Sequence, residues 1–470
     1  MTGARLLRVA ALASLPAEWP VDVLPDIREM VRRDGRTVVV LDDDPTGTQT
    51  VHGVPVLTDW SVESLESELA GAPLMIFILT NSRSVSSEEA QGINREVGHR
   101  LVESSRRTGR PFVAVSRSDS TLRGHFPTEV QALADALEQH FDAWLLVPAF
   151  LEGGRYTLDD IHYVAEGDHL VPAAETEFAR DAAFGYQVSN LRQWVEEKTK
   201  GRVPQSAVAS IAMDDIRRGG PERVAERLGA LTGGVICVAN AASRRDLEVL
   251  ALGALIAEAR GRRFLYRTAA SFVAARAGLS PRLLLNAAEL GLPQVGGGLI
   301  IVGSHVPRTT GQLHALSMLE DICHIEVNVT SLVDDGARAR EIEAVVQQAE
   351  SALRSGADVA ISTSRTVVTT RGSADSLSIA QRVSHSLATV VRTIRGRPRY
   401  VLAKGGITAS DVATKGLGVR RAVVEGQIFP GVPVWRLSPE SRHPGLVYIV
   451  FPGNVGGPRA LAEVVSALRA

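Results

Sequence analysis

Short apolar runs that stop abruptly at clusters of polar residues recur along this chain, and they restrict its fold more than any other feature. Residues 38–41 (VVVL) lead straight into Asp42, Asp43 and Asp44, 74–79 (LMIFIL) into TNSRS, 112–115 (FVAV) into SRSDSTLRG, and 144–147 (WLLV) into PAFLEGGR. Helix-patterned segments lie between them, as at 128–138 (TEVQALADALE), where Val130, Leu133 and Leu137 share one face. Strand, polar loop, helix, strand is the pattern of a parallel α/β sheet, and such sheets bind ligands at the carboxyl ends of their strands. The second half repeats the pattern, with 299–302 leading into GSHVPRTT, 359–361 into STSR, 400–403 into KGGITASDV and 448–451 into PGNVGGPR. Its loops are rich in Gly, Ser and Thr, whereas those of the first half are rich in Asp, Arg and Asn. The expected fold class is α/β with two domains, each a largely parallel sheet flanked by helices.

The stretch from about Arg260 to Gly298 separates the two loop styles and ends in the turn-rich PQVGGG. It predicts an N-terminal domain over 1–262, a connecting segment over 263–297 and a C-terminal domain over 298–470, within what 470 residues allow. With 45% hydrophobic residues and a formal net charge of -2, the chain has neither a disordered composition nor an electrostatic footprint for nucleic acid or anionic membrane. No apolar run approaches the roughly 18 to 20 residues of a membrane helix. The opening MTGARLLRVAALASLPAEWP has too short an apolar core for a signal peptide, and Pro16 and Glu18 break the cleavage region, so a cytoplasmic protein is expected. Cys237 and Cys323 are too few for a disulfide framework or a cysteine metal site.

Of the 51 basic residues only Lys198, Lys200, Lys404 and Lys415 are lysines, and the last two fall within AKGGITASDVATKGLG. A compact ammonium against phosphate is one reason to keep Lys where Arg is otherwise used. Gly405 to Thr408 (GGIT) and Gly453 to Gly457 (GNVGG) follow apolar runs, where backbone N–H groups can approach phosphate oxygens at a helix start. Neither a GxxxxGK[ST] nor a GxGxxG sequence is present.

The first half carries the acid–base chemistry. Asp42, Asp43 and Asp44 crowd like charges into one spot, which costs free energy unless a cation, a donor set or a shared proton offsets it. In SDSTLRGH, Arg123 offers a planar fork that suits a carboxylate or phosphate, or else an ion pair with a neighbouring Asp, and Arg83 in TNSRS invites the same two readings. His125, His162, His305 and His314 have no metal-ligand spacing. Asp42-x-Asp44-x-Thr46 also fits the nucleophile motif DxDxT of haloacid-dehalogenase-type phosphatases.

Taken in order, DDPTG at Asp43 to Gly47, TNSRS at Thr80 to Ser84, SDSTLRG at Ser118 to Gly124, ETEFARD at Glu175 to Asp181, GGIT at Gly405 to Thr408 and PGNVGG at Pro452 to Gly457 resemble the four-carbon acid sugar kinase family from about residue 36 onward. The resemblance implies an N-terminal domain that binds a sugar acid, a C-terminal domain that binds nucleotide, and ATP with magnesium at an interdomain cleft. Family activities phosphorylate threonate, erythronate or 3-oxo-tetronate. By matched motif, Ser304, Gly405, Gly406, Ile407, Thr408 and Gly453 are expected at ATP, with Gly456 of the same PGNVGG segment; Lys404, which the match does not require, is expected there from its place beside GGIT. Asp43, Asp44, Asn81, Arg83, Asp119 and Arg123 are expected at the acid. No residue is assigned to magnesium. The common first motif ADDFTGATD reads DDDPTGTQT here, GSCS reads GSHV, and the chain adds an N-terminal extension and the insert DIHYVAEGDHLVPAAETEF; this longer form looks like the members acting on 3-oxo-isoapionate.

The expected reaction is therefore transfer of the γ-phosphoryl of ATP to a sugar-acid hydroxyl. Asp44 or Asp43 would take the hydroxyl proton, Arg83 and Arg123 would hold the acid's carboxylate, and Lys404 would neutralise developing charge. Partners would be the small acid and a second copy of the chain, with no nucleic acid and no membrane. A phosphatase using Asp42, or a non-catalytic sugar-acid sensor, are the alternatives.

Overall fold

A computed structural model describes residues 4–303, 307–364, 373–453 and 455–469. They form two compact units, one of residues 1–50 and 59–281, the other of 51–58 and 282–470.

The first unit is built on seven parallel strands, in the order Ala209–Ile211, Val235–Ala239, Ala143–Val147, Phe264–Thr268, Phe112–Arg117, Thr37–Asp42 and Met75–Leu79. Parallel strands covered on both faces read as unbroken apolar runs, and all six residues of Thr37–Asp42 are buried. The crossover helices carry their own start and stop signals. Ser87–Thr108 begins at a capping box of Ser86 and Glu89 and ends at Gly109 with φ 67°. From Thr37–Asp42 the chain runs outward to Met75–Leu79, then returns to the other side at Phe112–Arg117. That reversal places the crevice of an open sheet over the ends of these strands. The register sets Asp42 beside Leu79 and Arg117, and Thr268 beside Arg117 and Val147, so the loops that follow start at one level.

Two features differ from the sequence reading. Residues 263–281, expected in a connecting segment, carry the central strand Phe264–Thr268 and the buried helix Ala270–Arg276 of this unit. The run FLYRT is short and interrupted by Arg267, which hides its strand character. Second, the N-terminal extension and the insert meet. Leu6–Leu7 pairs with His169–Pro172 at the edge of a four-stranded antiparallel sheet that continues through Ile161–Glu166 to Arg155–Leu158.

The second unit has a parallel core in the order Val447–Phe451, Val401–Lys404, Leu299–Val302, Asp358–Thr363 and Ile322–Val327. The hairpin Arg421–Phe429 and Val432–Leu437 extends it antiparallel, and Val54–Leu57 pairs on the hairpin's far strand. The order reverses at Leu299–Val302. Val302 lies beside Lys404, and Lys404 beside Phe451, so the polar loops after all three strands emerge side by side.

Candidate active site

At the ends of Thr37–Asp42, Met75–Leu79, Phe112–Arg117 and Phe264–Thr268, the first unit collects acids and guanidinium groups in alternation. Arg83 donates from Nε to Asp43 Oδ2 at 3.2 Å and from Nη2 to Asp43 Oδ1 at 2.5 Å, while its Nη1 stands 3.4 Å from Asp119 Oδ1 and 3.7 Å from Asp44 Oδ2. Arg117 Nη1 donates to Asp42 Oδ1 at 3.1 Å and Ser118 Oγ to Asp43 Oδ2 at 2.6 Å. Arg123 Nε donates to Asp119 Oδ2 at 2.8 Å, its Nη1 lies 3.5 Å from Asp181 Oδ2, and its guanidinium sits 5.2 Å from the Phe178 ring centroid. Behind them Arg267 is held by Ser116 and by the buried Glu129, which also accepts from Ser82. The repulsion that the three consecutive carboxylates create is thus offset by fixed cations.

The three acids differ in kind. Asp42 is enclosed, and burial pushes its carboxyl up to about 7, with Arg117 opposing and the neighbouring Asp43 and Asp44 charges reinforcing. Its Oδ2 has no hydrogen-bond partner, and a Cβ at Gly47 would lie 1.8 Å from that atom, so only glycine lets the 3-10 turn Pro45–Thr48 close over it. Burial also works against charge on Asp43, but Arg83 outweighs it and holds the carboxyl below the usual range. For Asp119, likewise, burial is outweighed by Arg123 and Arg83, which lower it far. Asp44 is the more open member, with a side chain 18% exposed, and its Oδ1 accepts from the amide (2.8 Å) and hydroxyl (2.5 Å) of Thr46. Asn81 (φ 50°) and Leu122 (φ 66°) both adopt the left-handed region beside the cluster, a strained backbone of the sort that concentrates at functional sites.

The insert and the residues that follow it brace the Ser118–Gly124 loop of this cluster. His162 Nε2 meets the Ser120 carbonyl at 2.7 Å and Tyr186 donates its hydroxyl to the Thr121 carbonyl at 2.8 Å. Burial holds the His162 imidazole down to about 4, which keeps it neutral, and it serves as a hydrogen-bonded histidine and not as a metal ligand.

In the second unit Gly405 (φ 110°) starts the short helix Gly406–Asp411, directly after the strand Val401–Lys404. Thr408 is buried, and a Cβ at Gly303 would meet its Oγ1 at 2.1 Å, so the loops after two neighbouring strands touch at this point. Lys404 is fully buried. Its Nζ donates to the Pro452 carbonyl at 3.1 Å, lies 3.5 Å from that of Gly453 and stands over the Phe451 ring at 4.2 Å, which places it beneath the Gly453 loop instead of in an open phosphate site. Burial, with Arg308 nearby, holds its ammonium down to about 7. Gln312 Nε2 donates to the Val455 and Gly457 carbonyls at 3.1 and 2.9 Å, bracketing Gly456. Ser304 and His305 lie outside the described residues.

The structure brings Asp43, Asp44, Arg83, Asp119 and Arg123 together as the sequence pattern suggests, and adds Arg117, Ser118, Arg267, Glu129 and Asp181. Arg117 and Arg267 stand at the carboxyl ends of apolar runs, the signal that picked out the other residues; Arg117 falls within SRSDSTLRG itself, whereas Arg267 lies inside a strand with no loop motif to mark it. No group of three or more His, Cys, Asp or Glu side chains suited to a metal ion occurs among the described residues. Magnesium needs only one or two carboxylates when nucleotide phosphates supply the rest, and Asp44 is the acid of this cluster not held by a close guanidinium.

Fold and site together define a two-unit α/β protein with a cluster of acids and arginines at the strand ends of one unit and glycine-rich loops at the strand ends of the other. A sugar-binding N-terminal domain model matches residues 38–276 and a nucleotide-binding C-terminal domain model matches 299–461. The chain belongs to the four-carbon acid sugar kinase family. It is 30% identical over 322 residues to the D-erythronate kinase of Heliobacterium modesticaldum, an alignment covering 66% of this chain and 66% of that relative, just short of two thirds of its length. It is 28% identical over 362 residues to the 3-oxo-tetronate kinase of Pseudomonas fluorescens, covering 74% and 76%. Two solved structures share the fold, one from Salmonella typhimurium LT2 (TM-score 0.66, 19% identity, 91% of this chain and 98% of that one) and one from Haemophilus influenzae (TM-score 0.58, 19% identity, 92% and 100%).

The phosphatase alternative is not supported. It needs Asp42 as an open nucleophile, and Asp42 is 1% exposed with its carboxyl closed off by Gly47 and bound by Arg117.

Proposed function

We propose that this protein transfers the γ-phosphoryl group of ATP to a hydroxyl of a small sugar acid, a four-carbon tetronate or 3-oxo-tetronate or a branched relative such as 3-oxo-isoapionate. The observation that carries the reading is the alternation of Asp43, Arg83, Asp119 and Arg123 at the strand ends of the unit that matches the sugar-binding domain. Arg83 spends Nε and Nη2 on Asp43, and its Nη1 has only the longer contacts, so it keeps a donor for the acid's carboxylate. Arg123 does the same beside Asp119. A neutral sugar would leave these buried donors facing no anion, which disfavours it.

Asp44 is the general base. Asp43 is paired with Arg83 and Ser118, which stabilise its carboxylate and make it a weaker base, whereas Asp44 keeps Oδ2 without a close donor. ATP binds at the loops around Gly405, Thr408, Gly453 and Gly456, with backbone N–H groups toward its phosphates. Magnesium bound with the nucleotide would neutralise phosphate charge, and of the first unit's acids Asp44 is the one that would share in holding it.

The test is ADP release from ATP and magnesium against a panel of four-carbon and branched five-carbon sugar acids, beside Asp44→Asn. Acid-dependent release that collapses in the variant is expected; folded protein that releases no ADP with any acid would overturn the assignment.

A further inference from the structure

Beside the charged cluster, a small pocket opens among Ser118, Asp119, Arg123, Leu146, Trp194 and Thr268, with room for a group about the size of one water molecule. Two of its lining residues carry buried polar atoms with no hydrogen-bond partner, the indole Nε1 of Trp194 and the hydroxyl Oγ1 of Thr268. Trp194 is 2% exposed and Thr268 3%. Buried donors are almost always satisfied, and each exception calls for an explanation.

Both residues are held where they are by other contacts. Trp194 lies in the helix Leu191–Lys198, whose first turn is capped by Asn190, and its ring stacks on Phe126 at 4.8 Å. Thr268 ends a central strand, in register with Arg117 and Val147, and its carbonyl accepts from the Ser118 amide at 2.8 Å. The backbone is thus fixed while the polar tips are left over. The indole N–H can only donate. Asp119, the acid on this wall, already accepts from Arg123 and from Thr121 and lies 3.4 Å from Arg83 Nη1, so it has little left for an incoming hydroxyl proton.

We infer that this pocket is a specificity subsite that receives one acceptor oxygen of the sugar acid, a carboxylate or oxo oxygen, with Trp194 Nε1 and Thr268 Oγ1 as its donors. The inference rests on the sugar-acid reading above and adds residues that neither the family motifs nor the charge pattern point to. Ser118 links the subsite to the reaction centre, since its hydroxyl donates to Asp43 and its amide to Thr268.

The experiment measures binding of a matched pair, a 3-oxo acid and its 3-hydroxy counterpart, by calorimetric titration of the full chain without nucleotide, beside the ADP-release assay. The variants are Thr268→Val, which keeps the shape and removes the hydroxyl, and Trp194→Phe, which keeps an aromatic ring and removes the N–H. Each is expected to weaken acid binding by roughly tenfold or more, with the KM for ATP unchanged. An equal loss for both acids places a carboxylate oxygen in the pocket, and a loss confined to the 3-oxo acid places the oxo oxygen there. A loss confined to the hydroxy acid, or affinities equal to the parent protein in both variants, overturns the inference; the latter is the result expected if the pocket holds only a structural water. Should Trp194→Phe fail to fold, Thr268→Val decides alone. A parent protein that turns over the acids while the variants keep its KM sinks the subsite and leaves the kinase reading standing. Acid binding without ADP release does the reverse, because the binding arm still tests the pocket. No acid binding and no turnover overturns both.

Discussion

Among single residues, three adjacent carboxylates are driven apart by what each one touches. Asp44→Asn is expected to lower kcat by roughly 10² to 10⁴ with acid binding changed little, because it removes a proton acceptor and keeps the shape. Asp43→Asn instead leaves Arg83 without its bidentate partner in a buried site, and a loss of about 3 kcal/mol of unfolding free energy in a denaturant titration is expected. Equal stability losses in the two variants would contradict this division. Asp42 supplies a pH test. Its folded carboxyl titrates near 7 and its unfolded one near the ordinary value of about 4. Between those values the folded state holds the extra proton, so this group's contribution to stability is present below about pH 4 and is lost as pH rises toward 7. Asp42→Asn should therefore make the slope of unfolding free energy against pH more positive across that window, and an unchanged slope would show that Asp42 does not bind a proton there. That acids and arginines would gather was legible in the sequence from where they follow apolar runs. Which arginine takes which acid was not, because Arg117 and Arg267 reach the cluster only through the strand register.

Secondary-structure elements tell a similar story. The runs at 38–41, 112–115, 299–302 and 448–451 announce their strands because parallel strands buried on both faces leave no polar period to confuse the reading. The strands of the small antiparallel sheet were hidden, since RYTL and HLVP are four residues each and neither is continuously apolar. The same limit applied to Lys404. Its place after an apolar run suggested a phosphate ligand, yet the strand it closes is buried to its last residue, and the ammonium is turned onto the carbonyls of the next loop. On the proposed function, Lys404 would act on the nucleotide through the Pro452–Gly453 turn that its ammonium ties down. Lys404→Met removes this tie while keeping the buried chain, and a KM for ATP raised about tenfold with the acid KM unchanged is expected in steady-state kinetics. A fall in kcat alone, with both KM values unchanged, would return Lys404 to the role of a charge stabiliser.

At the scale of the whole molecule, the order of the sequence and the order of the units do not coincide. Residues 51–58 leave the first unit for the second, where Val54–Leu57 pairs antiparallel with Arg421–Phe429, and Gly53 and Thr58 tie down its ends through the Val424 and Arg420 carbonyls. The family resemblance indicated two domains in succession, and the domain matches at 38–276 and 299–461 follow that order. Nothing in VPVL marks its partner as lying more than 360 residues away, since a four-residue apolar run fits either sheet equally well. The consequence is testable, because Val56 is 1% exposed and sits opposite Ala422. Val56→Asp puts an unpaired carboxylate into the second unit, a change that costs about 3 kcal/mol or more. For a unit of this size that corresponds to roughly 6 to 12 °C in the melting temperature. We expect calorimetry to show this loss in the transition that added nucleotide raises, although the substitution lies close to the Asp42–Asp44 cluster in sequence. Glu63→Ala, an exposed change in the first unit only seven residues on, should leave that transition where it was. If Val56→Asp instead shifted only the transition that responds to the sugar acid, the segment 51–58 would belong energetically to the first unit, and the nucleotide sheet would have to be stable with its hairpin edge uncovered.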